Sequence, residues 1–438
     1  MARSLAEWLA LQEAAHPKSI DLELTRVAAV ARRLGIERPS SAVITVGGTN
    51  GKGSTVAHLE ALLLAAGRSV GLFTSPHFLR YNERIRLDGA EADDASIVAA
   101  FERIEAARGT TTLTFFEYNT LAALYLFAQR QVEFTLLEVG LGGRLDATNL
   151  VDADVSVVCS VGFDHCDWLG ETLEEIGAEK AGIFRAARPA VLGTAHMPAS
   201  VYAAIERLGA KPLIAGKDFT WRVEAVSGGE PRWSYEGSGL HLADLPPSAL
   251  AGSIQYRNAA TALAALAALA TGEARCAAAE QVLAALVGPT VAAALRRVRL
   301  DGRFQIVPGP VEWILDIAHN PPAAELLASQ LRERPCQGST LAVIGILGDK
   351  DVSAIGAALA PAVQRWFLCG LEGPRGICAA ELARRLHAVA HGPILADSVL
   401  EGCQAARDAA RPGDRVVVCG SVHTVGPALE WLGVYSGP

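Results

Sequence analysis

The run Val43-Ile44-Thr45-Val46-Gly47-Gly48-Thr49-Asn50-Gly51-Lys52-Gly53-Ser54-Thr55 carries β-prone residues into a glycine-rich turn, then a lysine, a hydroxyl pair and a long apolar helix. Glycines accept the positive φ angles that let successive backbone N–H groups point inward at an anion. The helix beyond adds its positive N-terminal end, Lys52 offsets phosphate charge, and Ser54 or Thr55 offers a hydroxyl to Mg2+. The spacing departs from the common phosphate loop, which sets four residues between its first glycine and Gly-Lys-Ser/Thr. Here two residues separate Gly48 from Gly51, and Gly53 stands between Lys52 and Ser54. An ordinary strand–helix turn would use the glycines but not the lysine and hydroxyls with them. The stretch reads as a nucleotide site of an unusual kind, opening an α/β domain.

The whole chain supports that scale of architecture. Its 438 residues are enough for two or three cored domains, and 50% hydrophobic with 20% charged residues excludes global disorder. A formal charge of -8 and a pI near 5.7 argue against a nucleic-acid binder, which needs a basic face. Anionic substrates would have to be held by local Lys, Arg and helix ends. The eight cysteines lack close metal-ligand pairs and read as small buried hydrophobes in a reducing compartment. Glu7 interrupts the apolar N-terminal residues, giving no secretory pattern, and the alanine run Ala259–Ala270 is too short to span a bilayer. The expectation is a cytoplasmic, monomeric protein with neither nucleic acid nor membrane as a partner.

Outward from the loop, the first forty residues carry two helical patterns, with Ser19 or Asp21 as a candidate cap for the second. The helix from about Ser54 ends at Gly67, and a strand over 70–74 stops at Ser75-Pro76-His77. Arg80, Glu83, Arg84 and Arg86 follow in a loop that serves either as an anion clamp or as solvated charge. Helices over 91–107 and 117–129 precede the buried strand 134–138, which ends in Glu138. The strand 154–159 leads to Asp164-His165, and Thr172 with Glu175 makes a capping box for a helix carrying Lys180. From 217 to 245 alternating aromatic and polar residues predict a small antiparallel element. A second strand–helix alternation begins after 287–300, with strands at 313–317, 341–346, 365–369 and 415–419. The fold expected is an N-terminal phosphate-loop ATPase-type domain (1–293) with a mostly parallel sheet, then a smaller Rossmann-like α/β domain (294–438).

Ligands of open α/β sheets bind beyond the carboxyl ends of parallel strands. Ser75, Glu138 and His165 each lie just past such an end, an oxygen and imidazole set suited to Mg2+ on nucleotide phosphates. Asp316-Ile317-Ala318-His319-Asn320-Pro321 closes a strand of the second domain in the same position. It is either a helix cap or a polar contribution to a cleft between domains, and Arg303 beside the linker is placed to reach across.

Gly48-Thr49-Asn50-Gly51-Lys52-Gly53-Ser54 resembles the phosphate loop of the ADP-forming Mur ligases, in their folate branch of dihydrofolate synthases/folylpolyglutamate synthases. Seven further stretches are similar to that family: Ser19–Leu22, Thr74–His77, Leu137–Asn149, Asp164-His165, Glu179–Ile183, Gly302–Phe304 and Asp316–Pro321, the run 138–149 being the most specific. Cys166 departs from the family's usual Thr, and the stretch 420–426 lacks its usual aromatic. The resemblance implies that Thr49, Asn50, Gly51, Lys52, Gly53 and Ser54 hold ATP phosphates, with Asn258 at the adenine and Arg303 and Asp316 completing the site. It implies Mg2+ on Ser54, Ser75, Glu138 and His165, leaves room for a monovalent cation, and makes Lys180 carbamylated and His319 close to the phosphates. Asp21, Leu22, Glu23, Thr114, Phe115, Phe116, Glu117, Leu145, Asp146 and Ala147 match positions of the pterin site in bifunctional members. Lys52, Lys180 and His319 would then be catalytic in joining L-glutamate to dihydropteroate and to reduced folates.

Three other readings stay in view: folate extension alone, a sister ligase acting on a cell-wall precursor, or a phosphate-loop kinase or GTPase. The run 138–149 weighs against the second, Gly53 and the second α/β domain against the third. A regulator that binds nucleotide without catalysis would have lost Glu138, His165 or Lys180, and all three are present.

Overall fold

The computed structural model describes residues 3–435 apart from 15, 17, 19, 228 and 272–276. Its strands are β1 (Ala42–Gly47), β2 (Val70–Phe73), β3 (Ile85–Leu87), β4 (Ala90–Glu91), β5 (Phe134–Glu138), β6 (Val155–Val158), β7 (Pro189–Leu192) and β8 (Lys211–Ile214) in a first sheet. The order is β4-β3-β2-β5-β1-β6-β7-β8, parallel except for β3 and β4 at one edge. β1 sits between β5 and β6, so its Val-Ile-Thr-Val run is buried on both faces, as central parallel strands are. The register aligns the exits: Val46 pairs with Glu138, Gly47 with Val158 and Phe73 with Leu137. Loops leaving β1, β2, β5 and β6 therefore meet at one level.

The β-element expected at 217–245 is a three-stranded antiparallel sheet, β9 (Phe219–Glu224), β10 (Arg232–Gly237) and β11 (Leu240–Leu245). The alanine-rich helix Ile254–Thr271 packs against β6 and β7, against β9 and β10, and against the helix Lys52–Ala65. Small side chains on every side let it approach all three, which is why Ala259–Ala270 is buried throughout.

The C-terminal sheet runs β12-β13-β17-β14-β15-β16, with β12 (Gln305–Val307), β13 (Glu312–Asp316), β14 (Thr340–Ile344), β15 (Arg365–Cys369), β16 (Ile394–Ala396) and β17 (Arg415–Cys419). All pairs are parallel except β12–β13, and Asp316 and Ile344 both pair with Cys419. Segments 317–320, 345–350 and 420–423 thus also leave from one level. The α/β class, the mostly parallel first sheet and the separate second sheet are as the sequence predicts.

Several local expectations are corrected. The helix Thr25–Leu34 has no side-chain cap, because Asp21 instead accepts from Arg26 Nη1 at 2.8 Å; Ser19 lies outside the described residues. The helix expected from Ser54 already begins at Lys52, with Gly51 at φ +93 turning the chain into it. The helix expected from Glu117 begins at Phe115, since Thr114 and Glu117 close a capping box around that turn. Asp93 caps the helix Asp94–Arg108, later than the Glu91 start expected, because Ala90–Glu91 is spent in β4. The expected division at 293/294 falls inside the helix Gly288–Arg297, which packs on the helix Lys52–Ala65 and on β11. Cys159, Cys369, Cys403 and Cys419 are buried, but Cys166 and Cys378 sit at surface helix starts and are exposed; Cys276 lies outside the described residues. Among the described residues no single helix is long and apolar enough to cross a bilayer.

Candidate active site

A cavity of about 460 Å3 opens where the strand exits of both sheets face each other. Gly48 through Ser54 form its floor, and the backbone there has no spare room. Gly48 takes φ +138 with a would-be Cβ 3.1 Å from the backbone nitrogens of Cys159 and Ser160. The loop is pinned to the segment after β6: Thr49 N–H donates to Ser160 O (2.8 Å), Asn50 N–H to Ser160 Oγ (3.1 Å), and Thr49 Oγ1 to Gly162 O (3.1 Å). Lys52 Nζ donates to the carbonyls of Gly48 (2.9 Å) and Thr49 (3.2 Å), which holds the ammonium over the loop it follows.

Gly53, the residue that breaks the common spacing, has a reason on its far side. A Cβ there would lie 3.2 Å from Arg303 Nη2 and 3.8 Å from Glu138 Oε1. The missing side chain makes way for a guanidinium from the start of the C-terminal unit. Arg303 is held by its own segment, where Phe304 N–H donates to Asp316 Oδ2 and Ala318 N–H to Asp316 Oδ1, both at 2.8 Å. Both oxygens of Asp316 are thus engaged by backbone, and the carboxylate fixes the linker to the exit of β13.

Glu138 is 3% exposed and accepts a short hydrogen bond from Thr74 Oγ1. Burial raises its pKa, with Lys52, Thr74 and Arg303 opposing the rise. His165 takes a left-handed φ of +53 at the start of a short helix, and burial lowers its pKa to about 4 against the pull of Asp164. A buried carboxylate and a neutral imidazole, with the Ser54 and Ser75 hydroxyls lining the same space, are a donor set that fits Mg2+. Among the described residues no group of three His, Cys, Asp or Glu side chains could hold a metal alone, so phosphate oxygens would have to complete the shell.

Lys180 is 4% exposed on the helix Leu173–Ala181, and burial, with Lys52 adding to it, lowers its pKa to about 7. The run 138–149 wraps this helix. Gly143 packs so closely that a Cβ would stand 2.7 Å from Glu179 O and 2.9 Å from Lys180 O, and Arg144 pairs with Glu179 at 2.8 Å. Asp146 closes the run on itself, accepting from the N–H groups of Gly140 (3.0 Å), Leu141 (2.8 Å) and Thr148 (3.0 Å).

Asp21, Leu22, Glu23, Thr114, Phe116, Glu117, Leu145, Asp146 and Ala147 all line one end of the cavity. Phe115 does not. It turns away to meet Tyr81 at 6.2 Å and to lie under the Arg84 guanidinium at 5.4 Å, because successive helical residues point about 100° apart. Arg26, which the sequence did not single out, ties this end together by donating to Asp21 (2.8 Å), Glu23 (2.8 Å) and Glu117 (3.2 Å). Within the arginine loop only Arg84 lines the cavity, donating to His77 Nδ1 at 2.7 Å, while Arg80 and Arg86 pair with Glu91 and Glu60.

The two units are clasped across the phosphate loop. Asn50 and Asn320 exchange amide hydrogen bonds at 3.0 and 3.1 Å, and Asn320 also donates to Asp164 (2.9 Å) while capping its own helix. Lys350 Nζ reaches Asp164 Oδ1 at 2.6 Å, and His319 Nε2 lies 3.3 Å from Asp164 Oδ2. Burial works against the charge on Asp164, but His319, His165 and Lys350 outweigh it and hold the carboxyl well below the usual range. The sequence offered Asp164 and Asn320 within motifs but gave no sign of Lys350, whose partner is far away in the chain.

Both units have counterparts among known proteins. Residues 46–207 match the Mur ligase middle domain, and residues 302–422 match the Mur ligase glutamate ligase domain. The chain is 44% identical over 429 residues to the dihydrofolate synthase/folylpolyglutamate synthase of Escherichia coli K12, covering 98% of this chain and 96% of that one. Among solved structures it is similar to E. coli FolC in complex with DHPP and ADP, with a TM-score of 0.90, 43% identity and coverage of 99% and 98%. It is also similar to a bifunctional folylpolyglutamate synthase/dihydrofolate synthase with Mn, AMPPNP and L-glutamate bound, with a TM-score of 0.86, 40% identity and 98% of both chains covered.

Proposed function

The chain belongs to the Mur ligase family, among its dihydrofolate synthases/folylpolyglutamate synthases, and from that premise we propose that it joins L-glutamate to dihydropteroate and to reduced folyl-glutamates, converting ATP to ADP and phosphate. The observation that carries this reading is the continuity of the cavity. One space reaches from the phosphate loop to the wall of Asp21–Glu23, Thr114, Phe116, Glu117 and Leu145–Ala147, and to Lys350, Arg375, Ser421 and His423 of the C-terminal unit. A phosphate donor, an aromatic acid and an amino acid can meet in it.

A carboxylate is a poor acyl donor because its leaving group would be oxide. The substrate carboxylate attacks the γ-phosphorus of ATP, the bond to ADP breaks, and an acyl phosphate forms. The amine of L-glutamate then attacks the acyl carbon, phosphate leaves and the amine gives up its proton. The backbone from Thr49 to Ser54 and the Lys52 ammonium hold the phosphates, and catalysis is mainly positioning and electrostatics. Asn258 faces the adenine, and Arg303, oriented by Asp316, brings a second positive charge past Gly53. Ser54, Ser75, Glu138 and His165 would hold Mg2+, which when bound neutralises phosphate charge. Lys180 in its neutral form adds CO2 and loses a proton, becoming a carbamate anion beside that set. His319 and Lys350 keep the C-terminal unit seated on Asp164, which excludes water from the intermediate. Arg375, Ser421 and His423 offer the charge and hydroxyl that a dicarboxylic amino acid needs. We place the division between the units at residues 298–302, after the helix Gly288–Arg297. A cytoplasmic, monomeric enzyme is part of the same reading.

The test is ADP release with L-glutamate plus either dihydropteroate or a reduced folate. Turnover with both is expected. None with dihydropteroate would leave folate extension alone, and none with either would sink the reading. A second result concerns the inserted glycine. Gly53→Ala adds a favourable helix residue, so the unfolding temperature should hold or rise slightly. It also displaces Arg303 by a few tenths of an ångström, and kcat/KM for ATP should fall about tenfold. Unchanged kinetics in that variant would show that Arg303 does not serve the nucleotide.

A further inference from the structure

The loop between β2 and β3 belongs to the N-terminal unit, yet its tip is built into the C-terminal one. Phe78 packs against the C-terminal core cluster that contains Val418 and Val425. Two glycines make room for it: a Cβ on Gly302, at φ +60, would stand 2.8 Å from its ring, and one on Gly426 would stand 3.1 Å from its carbonyl oxygen. A single carboxylate shapes the tip. Glu83 Oε2 accepts from Phe78 N–H (2.7 Å), and Oε1 accepts from the N–H groups of Leu79 (2.8 Å) and Arg80 (2.7 Å). A fourth donor comes from outside the loop, the Tyr435 hydroxyl, at 2.6 Å from Oε1. Tyr435 lies on the same core cluster as Phe78, just past the helix Val422–Trp431, and Gln305 Nε2 of β12 donates to the neighbouring Val434 carbonyl at 3.4 Å.

The base of this loop faces the cavity, where Ser75, Pro76 and Arg84 line the wall. Base and tip are tied together. Arg84 follows Glu83 directly, its Nε donates to His77 Nδ1 (2.7 Å), and its carbonyl accepts from Thr74 N–H (3.0 Å). A shift of the Glu83 carboxylate therefore carries Arg84 with it and, through Thr74 and His77, the Ser75 that stands between them. Three backbone donors fix the carboxylate to its own loop, and a bond from a hydroxyl to a charged acceptor is short and directional enough to fix that loop to the C-terminal unit. Burial, with Glu83 adding to it, raises the pKa of Tyr435, so the phenol keeps the proton it donates.

We propose that Tyr435 is a positioning residue of the active site: through Glu83 it sets the loop that presents Ser75 and Arg84 to the cavity. The proposal rests on the reading of that cavity as a Mg2+-dependent ligase site. The C-terminal unit then contributes twice, with side chains of its own and by holding part of its neighbour's wall in place.

The test uses the full chain carrying Tyr435→Phe, which keeps the ring and its packing and removes only the hydroxyl. The unfolding temperature should stay within about 2 °C of the wild type. In the metal-free protein, amide hydrogen exchange should quicken about fivefold at Phe78, Leu79 and Arg80, the factor for one lost hydrogen bond, and hold in β1 and β5. The Mg2+ concentration for half-maximal ADP release should rise about fivefold, with kcat recovered at saturating Mg2+. A general loss of structure would instead lower kcat at every Mg2+ concentration, and that result would overturn the proposal. So would exchange within about twofold of the wild type at all three amides, or faster exchange with an unchanged Mg2+ dependence, which would make the contact structural only. A wild-type protein that releases no ADP at any Mg2+ concentration would defeat the ligase reading, and the inference with it.

Discussion

Lys52→Ala is expected to abolish ADP formation, with kcat falling by about a thousandfold or more, while the protein stays folded. The magnitude follows from the role of a pre-placed charge where negative charge gathers in the transition state, in a site that water has left. The fold should survive because Lys52 contributes no core packing: its ammonium is bound to two loop carbonyls, Gly48 O and Thr49 O, which water or the loop's own motion can satisfy. Single-turnover measurement of ADP at saturating ATP and substrate checks this, alongside a thermal unfolding curve. Substantial turnover in a folded Lys52→Ala protein would mean that phosphoryl transfer happens elsewhere.

Lys180→Met should be nearly as inactive and, unusually for an active-site change, more stable. Burial holds the Lys180 amine near pKa 7, against 10.5 for an ordinary lysine. Two consequences follow with definite signs. First, the neutral amine that takes up CO2 grows as pH rises from about 6 to 8, so activity should climb over that range and respond to added bicarbonate. Second, the folded pKa lies below the unfolded one, so the unfolded chain binds the extra proton between about pH 7 and 10.5. The burden on the native state is full below pH 7 and fades toward 10.5. Freed of it, Lys180→Met should unfold at a higher temperature than CO2-free wild type at pH 6, and the gap should close as pH rises. A variant that keeps activity, or a gap that widens with pH, would contradict the assignment.

How much of this was legible beforehand depended on whether a signal is local. The phosphate loop, the antiparallel element and the ends of β1, β5 and β6 are written in consecutive residues, and register alone then brought Gly47, Glu138 and Val158 to one level. Contacts that cross the chain left no such trace. Asp21 was readable as a helix cap, but Arg26 and Glu117 draw it into a three-carboxylate cluster instead. Thr114 to Glu117 looked like one patch, yet the helix beginning at Phe115 sends that ring away from the cavity while Phe116 faces it. Lys350 and Tyr435 sit in stretches with no pattern of their own; only the packing of the C-terminal unit gives them partners.

The clasp across the cleft has a bearing on how the enzyme would work through a growing chain. Asn50, Asn320, Asp164 and Lys350 meet through hydrogen bonds and an ion pair, apart from the apolar contact that Phe78 makes with the C-terminal core elsewhere. Water can take over such contacts one for one, so opening the clasp itself demands far less than peeling apart a hydrophobic face. The joint behaves as a latch rather than a weld. Each glutamate added then ends with release, and a product one residue longer must compete afresh with every other folate in solution. The spread of chain lengths would be set by that competition, not by a ruler inside the protein.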